Sequence, residues 1–362
     1  MPLVAIMAVN FDLTISLDIP LIAPAALKEE IPATSRAKQT VLRASQTVRN
    51  ILRGDDKRIL MIVGPCSIHD IEVAHEYANY IKELAEEVSQ CFFVVMRAYV
   101  EKPRTTTGWK GLIKDPDLNG TGNIEKGLRM ARQLMVDLNE MGVPLATEIL
   151  DPIIPQYIGE LLTWGAIGAR TVESQTHREI ASGLPMALGF KNGTNGNLSG
   201  AINAVESARH PHHFPCINQE GRVSILRTRG NPDGHLILRG GATGPNYDSL
   251  SVLRAETAMR SAHLKPLIMI DCSHGNSGND HSKIEDVFRG TVEQILNGTP
   301  AIIGIMIESN VNDGSQPLDG TGNLKYGVSI SDKCLGWENT ERIILDAYQQ
   351  IRNSDLVNTC HM

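Results

Sequence analysis

Ten side chains in this sequence have types and placements that could do chemistry together. Cys66 lies in Gly64-Pro-Cys-Ser-Ile-His69, and His274 in Asp271-Cys-Ser-His274. Glu308 follows the apolar run Ala301–Ile307, and Asp332 stands in the polar stretch beyond it. A thiolate, an imidazole and two carboxylates form a divalent-metal shell with room for a substrate oxygen. The mix of soft and hard donors suits Mn, Fe, Co or Zn better than Mg or Ca. The plainer alternatives are a buried inert cysteine, a hydrogen-bonded core histidine and ion-paired acids. A Cys66 nucleophile with His69 or His274 as its base is a further rival. The other six side chains are the cations Arg97, Lys102, Arg104, Arg170, Lys191 and Arg239. Gathered at one mouth they would repel one another unless anions lay among them. Arginine forks grip phosphate and carboxylate oxygens, and lysine adds point charge. The number of cations points to more than one anionic group, which a nucleophilic acyl-transfer site would not need.

A single mouth requires elements that bring these positions together. From Arg58 onward a short apolar run, a polar or glycine-rich turn and an amphipathic stretch alternate, the pattern of parallel βα units. Strands are expected at 59–63, 92–97, 144–148, 166–170, 187–191, 235–239, 266–271 and 301–308. Helices are expected at about 71–88, 124–141, 153–164, 176–183, 197–208, 248–263, 283–297 and 338–352, the third opening at Asp151-Pro152 as N-cap and first helical residue. Eight strands and eight helices in alternation predict a (β/α)8 TIM barrel, with an open doubly wound sheet as the rival. In such barrels the site lies at the carboxyl ends of the strands, and each expected strand ends in or runs into one of the residues above or Glu148. Residues 1–45 read as an arm with a short helix, 46–355 as the catalytic barrel and 356–362 as a tail. Residues 214–228 read as a β-hairpin inserted between the fifth helix and the sixth strand. Gly-Thr-Gly-Asn at 120–123 and 320–323 reads as two turns.

Composition narrows the function class. The chain has 362 residues with 42% hydrophobic and 21% charged, the balance of a globular protein with a large core. With 34 basic and 41 acidic residues the net charge is −7, which argues against a nucleic-acid partner and leaves any anion site to a local cationic cluster. The six cysteines show no C-x-x-C spacing, and a reducing cytoplasm is expected. No apolar run approaches the roughly 18 residues of a membrane span. The apolar start Met1–Val9 lacks the basic flank of a signal peptide.

The motifs Gly64-Pro-Cys-Ser-Ile-His-Asp70, Glu101-Lys-Pro-Arg-Thr-Thr106, Gly108-Trp-Lys-Gly111, Gly165-Ala-Ile-Gly-Ala-Arg170, Gly189-Phe-Lys-Asn-Gly-Thr194, Leu238-Arg-Gly-Gly241, Asp271-Cys-Ser-His-Gly-Asn276, Ile307-Glu-Ser-Asn310 and Ser331-Asp332 run in order along the chain. Together they resemble the type I, amino-acid-regulated microbial branch of 3-deoxy-D-arabino-heptulosonate 7-phosphate (DAHP) synthase, over about residues 12–350. The resemblance implies condensation of phosphoenolpyruvate with erythrose 4-phosphate, with release of phosphate, at the head of the shikimate pathway. It implies that Arg97, Lys102, Arg170, Lys191 and Arg239 hold phosphoenolpyruvate, and that Arg104, Thr105 and Asp332 meet the aldose phosphate. Cys66, His274, Glu308 and Asp332 would ligate one divalent metal per subunit, with Glu148 and Lys102 handling protons. A homodimer or homotetramer is implied as well.

The family's effector site, for an aromatic amino acid, maps to Asp12, Gln156, Leu184, Pro185, Phe214 and Cys216. Pro152 and Ile217-Asn-Gln219 are similar to the tyrosine-sensing isoenzymes. Pro185 stands where serine is usual in feedback-sensitive members, and it offers neither a hydroxyl nor a backbone N–H. Cys216 also replaces a smaller or hydroxylated residue, so weakened feedback inhibition is expected. Two other readings stand beside the synthase. One is an octulosonate 8-phosphate type synthase, whose branch lacks the arm and hairpin. The other is a sugar-phosphate-sensing barrel that has lost its chemistry.

Overall fold

The computed structural model describes residues 19–318 and 323–354. Asp12, most of the second Gly-Thr-Gly-Asn and the tail at 356–362 lie outside the described residues. Two helices, α1 (Pro24–Glu30) and α2 (Ser35–Arg53), precede the first strand. Alternation then follows: β1 (Ile59–Gly64), α3 (Ile71–Glu87), β2 (Phe92–Arg97), α4 (Ile124–Glu140), β3 (Leu145–Glu148), α5 (Pro155–Ile158), β4 (Trp164–Ile167), α6 (Gln175–Ala181), β5 (Ala187–Lys191) and α7 (Ser199–Ala208). The hairpin β6 (His213–Ile217) and β7 (Val223–Arg227) interrupts it. It resumes with β8 (Gly234–Leu238), α8 (Ser249–Ser261), β9 (Ile268–Asp271), α9 (Ile284–Leu296), β10 (Ile302–Asn310), the short β11 (Leu335–Gly336) and α10 (Trp337–Arg352).

The parallel sheet runs β1-β2-β3-β4-β5-β8-β9-β10 and closes by pairing β10 with β1, Leu60 opposite Gly304. This is a closed (β/α)8 barrel. Closure requires the strands to be covered on both faces, which is why they read as continuous apolar runs. Side chains such as Ile62, Val95, Trp164, Ile237 and Met306 fill the inside, while the opposite faces pack under the helix ring. Side-chain caps set several helix starts: Asp70 accepts from Glu72 N and Val73 N, Asp248 from Ser251 N, and Asn123 of the first Gly-Thr-Gly-Asn from Lys126 N. No described helix is long and apolar enough to cross a membrane.

Three sequence expectations need correction. First, the arm region contains more helix than the short one expected. α2 spans 19 residues across position 45, capped by Thr34 and ended by a left-handed Gly54. Its Val48, Ile51 and Leu52 join the buried cluster inside the barrel, so α2 plugs the amino-terminal end. Second, Asp151-Pro152 does not open the third barrel helix. Asp151 caps a local turn at Ile153, α5 begins at Pro155, and helical structure ends at Leu161 after a short 3-10 turn. The strand that follows starts at Trp164, because the indole is buried in the barrel interior and donates to His235 Nε2 at 3.2 Å. Third, the hairpin strands lie at 213–217 and 223–227, so the insertion begins one residue before the expected 214–228. Phe214 and Cys216 face inward while His213 and Pro215 face solvent, the alternation of a strand with one buried face.

Candidate functional site

Each candidate residue reaches the same barrel mouth from its own strand end or following loop. Arg97 ends β2, Glu148 β3 and Lys191 β5, while Glu308 lies near the end of β10. Cys66 follows β1, Lys102 lies in the loop after β2, and Asp332 lies in the long loop after β10. Arg170 and Arg239 stand just beyond β4 and β8, not within strands as expected. The loops bearing Arg239 and His274 cross backbone to backbone. A Cβ on Gly240, which has φ +70°, would sit 2.3 Å from the Gly275 carbonyl carbon, so only glycine permits this approach.

Three of the four expected metal donors converge. One donor atom each from Cys66, Glu308 and Asp332 lies within 4.8 Å of the others. His274 stands beside them, its Nε2 3.5 Å from Glu308 Oε1. Lys102 Nζ donates to Cys66 Sγ at 2.7 Å and to Asp332 Oδ2 at 2.8 Å. Arg97 donates to Glu308 Oε1 at 2.9 Å, and its guanidinium lies 3.8 Å over the Tyr99 ring. A donor set with one thiol, two carboxylates and an adjacent imidazole fits a divalent transition metal or zinc. Next to His274, Glu308, Ser331 and Asp332 lies a cavity of about 240 Å³.

Burial and charge set the electrostatics. Burial, then the Glu308 carboxylate, push the Cys66 thiol well above its ordinary value. A bound cation would reverse that. The Lys102 ammonium holds Asp332 well below the carboxylate range. Glu308 is also lowered: burial opposes ionisation, but His274, Arg97 and Lys102 outweigh it. For Lys102 the same contest goes the other way, with Cys66 and Asp332 raising it against burial.

The six cations divide into three classes. Arg97, Lys102 and Lys191 are buried, Arg239 is partly buried, and Arg104 and Arg170 are exposed. Burial lowers Arg239, Asp271 offsets this, and the Arg170 charge lowers it further. Arg170 Nε donates to Thr105 Oγ1 at 3.0 Å, joining the two loops expected to meet different substrates. Glu148 is buried with Oε1 unpartnered, and a Cβ on Gly168 would stand 2.1 Å from that oxygen. Tyr99 and Asp271 are the site residues to which sequence reasoning assigned no part. Asp271 was visible as the first residue of Asp-x-x-His at a strand end. Tyr99 has no comparable signal.

Of the expected effector residues, Gln156, Leu184, Phe214 and Cys216 line one cavity of about 370 Å³, together with Ser182, Leu226 and Thr228. Pro185 is exposed outside that lining, and its carbonyl accepts from Arg49 of α2. The Cys216 thiol points at Pro152 O, 3.7 Å away.

The DAHP synthetase I family model matches residues 30–344. Over 332 residues, covering 91% of this chain and 93% of the relative, the chain is 50% identical to the Tyr-sensitive phospho-2-dehydro-3-deoxyheptonate aldolase of Escherichia coli K12. The Phe-sensitive enzyme of the same organism is 47% identical over 335 residues, 92% of this chain and 95% of the relative. Among solved structures, the phospho-2-dehydro-3-deoxyheptonate aldolase of Francisella tularensis SCHU S4 matches with a TM-score of 0.91 at 47% identity, covering 93% of this chain and 98% of that one. Matched over most of its length by sequence and by fold, this chain belongs to the DAHP synthetase I family.

Proposed function

We propose that the chain condenses phosphoenolpyruvate with erythrose 4-phosphate, yielding 3-deoxy-D-arabino-heptulosonate 7-phosphate and inorganic phosphate for aromatic amino-acid biosynthesis. The observation that carries this reading is the convergence of two buried cations, Arg97 and Lys102, on the thiol–carboxylate cluster, with a third, Lys191, joined through Asp271 to the neighbouring His274. Two phosphates and a carboxylate supply the counter-charge such a mouth needs. Arg97, Lys102, Arg170, Lys191 and Arg239 hold phosphoenolpyruvate, while Arg104 and Thr105 hold the aldose phosphate, with Asp332 beside them. Cys66, His274, Glu308 and Asp332 hold one divalent ion, which when bound supplies Lewis acidity toward the aldehyde oxygen.

The ordered cations fix two flexible substrates in attack geometry. The methylene carbon of phosphoenolpyruvate forms a bond to the aldehyde carbon, and positive charge develops at the carbon bearing phosphate. Water adds there, and the new hydroxyl gives its proton to the departing phosphate as the carbon–oxygen bond to phosphate breaks, leaving the ketone. Glu148, with its free buried oxygen, takes the proton of the water. Lys102 supplies a proton to the new alkoxide.

The cavity around Gln156 and Phe214 takes an aromatic amino acid, with apolar walls from Pro152, Leu184 and Leu226 and hydroxyls from Ser182 and Thr228. The names of the Tyr-sensitive and Phe-sensitive relatives support an effector of this class. Feedback is weakened by Pro185, and the subunits associate as a homodimer or homotetramer in the cytoplasm.

The test is phosphate release by EDTA-treated protein, with and without Mn²⁺. Release that requires the metal and both substrates supports the reading. Release with arabinose 5-phosphate in place of erythrose 4-phosphate would move it to the octulosonate type. No release under any divalent metal refutes it.

A further inference from the structure

Asp271 ends β9 between the candidate metal donors and the cations expected to hold phosphoenolpyruvate, and its side chain is wholly buried. One carboxylate oxygen, Oδ2, faces both groups: Lys191 Nζ donates to it at 2.8 Å, and His274 Nδ1 lies 2.9 Å away. The other oxygen accepts from Ser273 N at 3.0 Å, and the Asp271 carbonyl accepts from Asn276 Nδ2 at 2.8 Å. These bonds hold the carboxylate in place. As it stands Nδ1 makes no hydrogen bond, although Oδ2 lies 2.9 Å away. The imidazole's terminal torsion is soft, so rotation of the ring can bring an Nδ1 proton onto Oδ2. Burial opposes the charge on Asp271, but His274 and Lys191 together hold it well below the carboxylate range.

We propose that Asp271 is a positioning residue shared by two sites. Through Nδ1 it orients His274 so that Nε2 faces the Glu308 side of the metal cluster, and through Lys191 it sets a cation at the phosphoenolpyruvate site. A single oxygen serves both partners, so loss of that carboxylate releases both, while loss of one partner leaves the other in place. This rests on the synthase reading of His274 and Lys191. Outer-sphere partners of metal-bound histidines typically contribute about 10- to 100-fold in metal affinity.

The test compares Asp271→Asn with wild type. Co²⁺ titration of metal-stripped protein, followed by the cobalt–thiolate absorption of Cys66, measures metal affinity without turnover. The KM for phosphoenolpyruvate at saturating metal measures the other arm. The expected result is Co²⁺ affinity weakened by about 10- to 100-fold, together with a raised KM. Lys191→Met alone should raise the KM and leave Co²⁺ affinity at the wild-type value. Wild-type Co²⁺ affinity in folded Asp271→Asn overturns the proposal and leaves the synthase reading intact. Absence of a cobalt–thiolate band in wild type instead refutes the metal-site reading itself. Should Asp271→Asn fail to fold, ¹⁵N NMR of His274 in the metal-free wild type decides, with His274→Gln used to assign the signal. A proton on Nδ1 supports the proposal, and a neutral ring carrying its proton on Nε2 overturns it.

Discussion

A single methyl group at Gly168 tests whether the Glu148 carboxylate takes part in the chemistry. Gly168 has no left-handed φ, so alanine fits the backbone there without strain. The new Cβ would stand 2.1 Å from Glu148 Oε1 and 3.0 Å from its carboxyl carbon. Carbon–oxygen contacts relax to about 3.3 Å, so the carboxylate must retreat by roughly 1.2 Å. It is the end of a flexible side chain, and the barrel itself need not move. A displacement of about 1 Å in a catalytic group costs on the order of 100-fold in rate. Gly168→Ala is therefore expected to lower kcat by about that factor while KM for phosphoenolpyruvate and metal affinity stay near wild type. Steady-state phosphate release measures this. Glu148→Gln serves as the reference, and the double variant should be no worse than the more impaired single one, because both changes act on one group. A Gly168→Ala enzyme with wild-type kcat and an unchanged melting temperature would remove Glu148 from the proton path.

Three further outcomes are expected. Burial, then the Asp151 charge, push the Glu101 carboxyl up to about 8 from its ordinary 4.5. Between those values the native state keeps a proton that the unfolded chain has lost, so wild-type stability falls as pH rises. Glu101→Gln should match wild type near pH 4 and exceed it by an amount growing to about 5 kcal/mol above pH 8, read by urea unfolding across pH. Ile51→Ala in α2 should cost about 3 kcal/mol in the same assay, because Ile51 is buried with the barrel interior; a cost near zero would return α2 to a detachable arm. Micromolar tyrosine, phenylalanine or tryptophan should leave most wild-type activity intact, and Pro185→Ser should raise sensitivity, measured by phosphate release with each amino acid. Strong inhibition of wild type would refute the reading of Pro185.

Much of the barrel was legible because its strands are short apolar runs ending in chemistry-bearing residues. β2 and β5 lie where the pattern put them, and α3, α4 and α10 agree to within a residue at each end. The misreadings have local causes. Leu161–Ile167 is apolar except for Thr163 and fits a helix end or a strand equally, and burial of Trp164 in the barrel interior decides it. The long α2 was missed because prolines at 20, 24 and 32 dominate the stretch before it, and the many polar residues around its narrow buried stripe made it read as part of an arm. At the mouth, the residue types and their order were legible, but which cations are buried was not. Arg104 and Arg170 look like Arg97 in sequence, yet only Arg97 is enclosed, against Tyr99 and Glu308.

By itself the sequence determined the alternation of strands and helices, the charged or metal-competent residue at each strand end, and the family those motifs resemble. These are properties of short segments, set by side-chain period and by residue type. Tertiary structure alone decided what depends on distance between remote segments. It brought Cys66 to Asp332 across 266 positions and left His274 at the edge of that cluster. It set α2 as the plug of the barrel floor and aimed one oxygen of Asp271 at two partners. Closing the sheet fixes those distances, because the approach of β10 to β1 is set by the pairing of all the strands between them, which no local stretch of chain records.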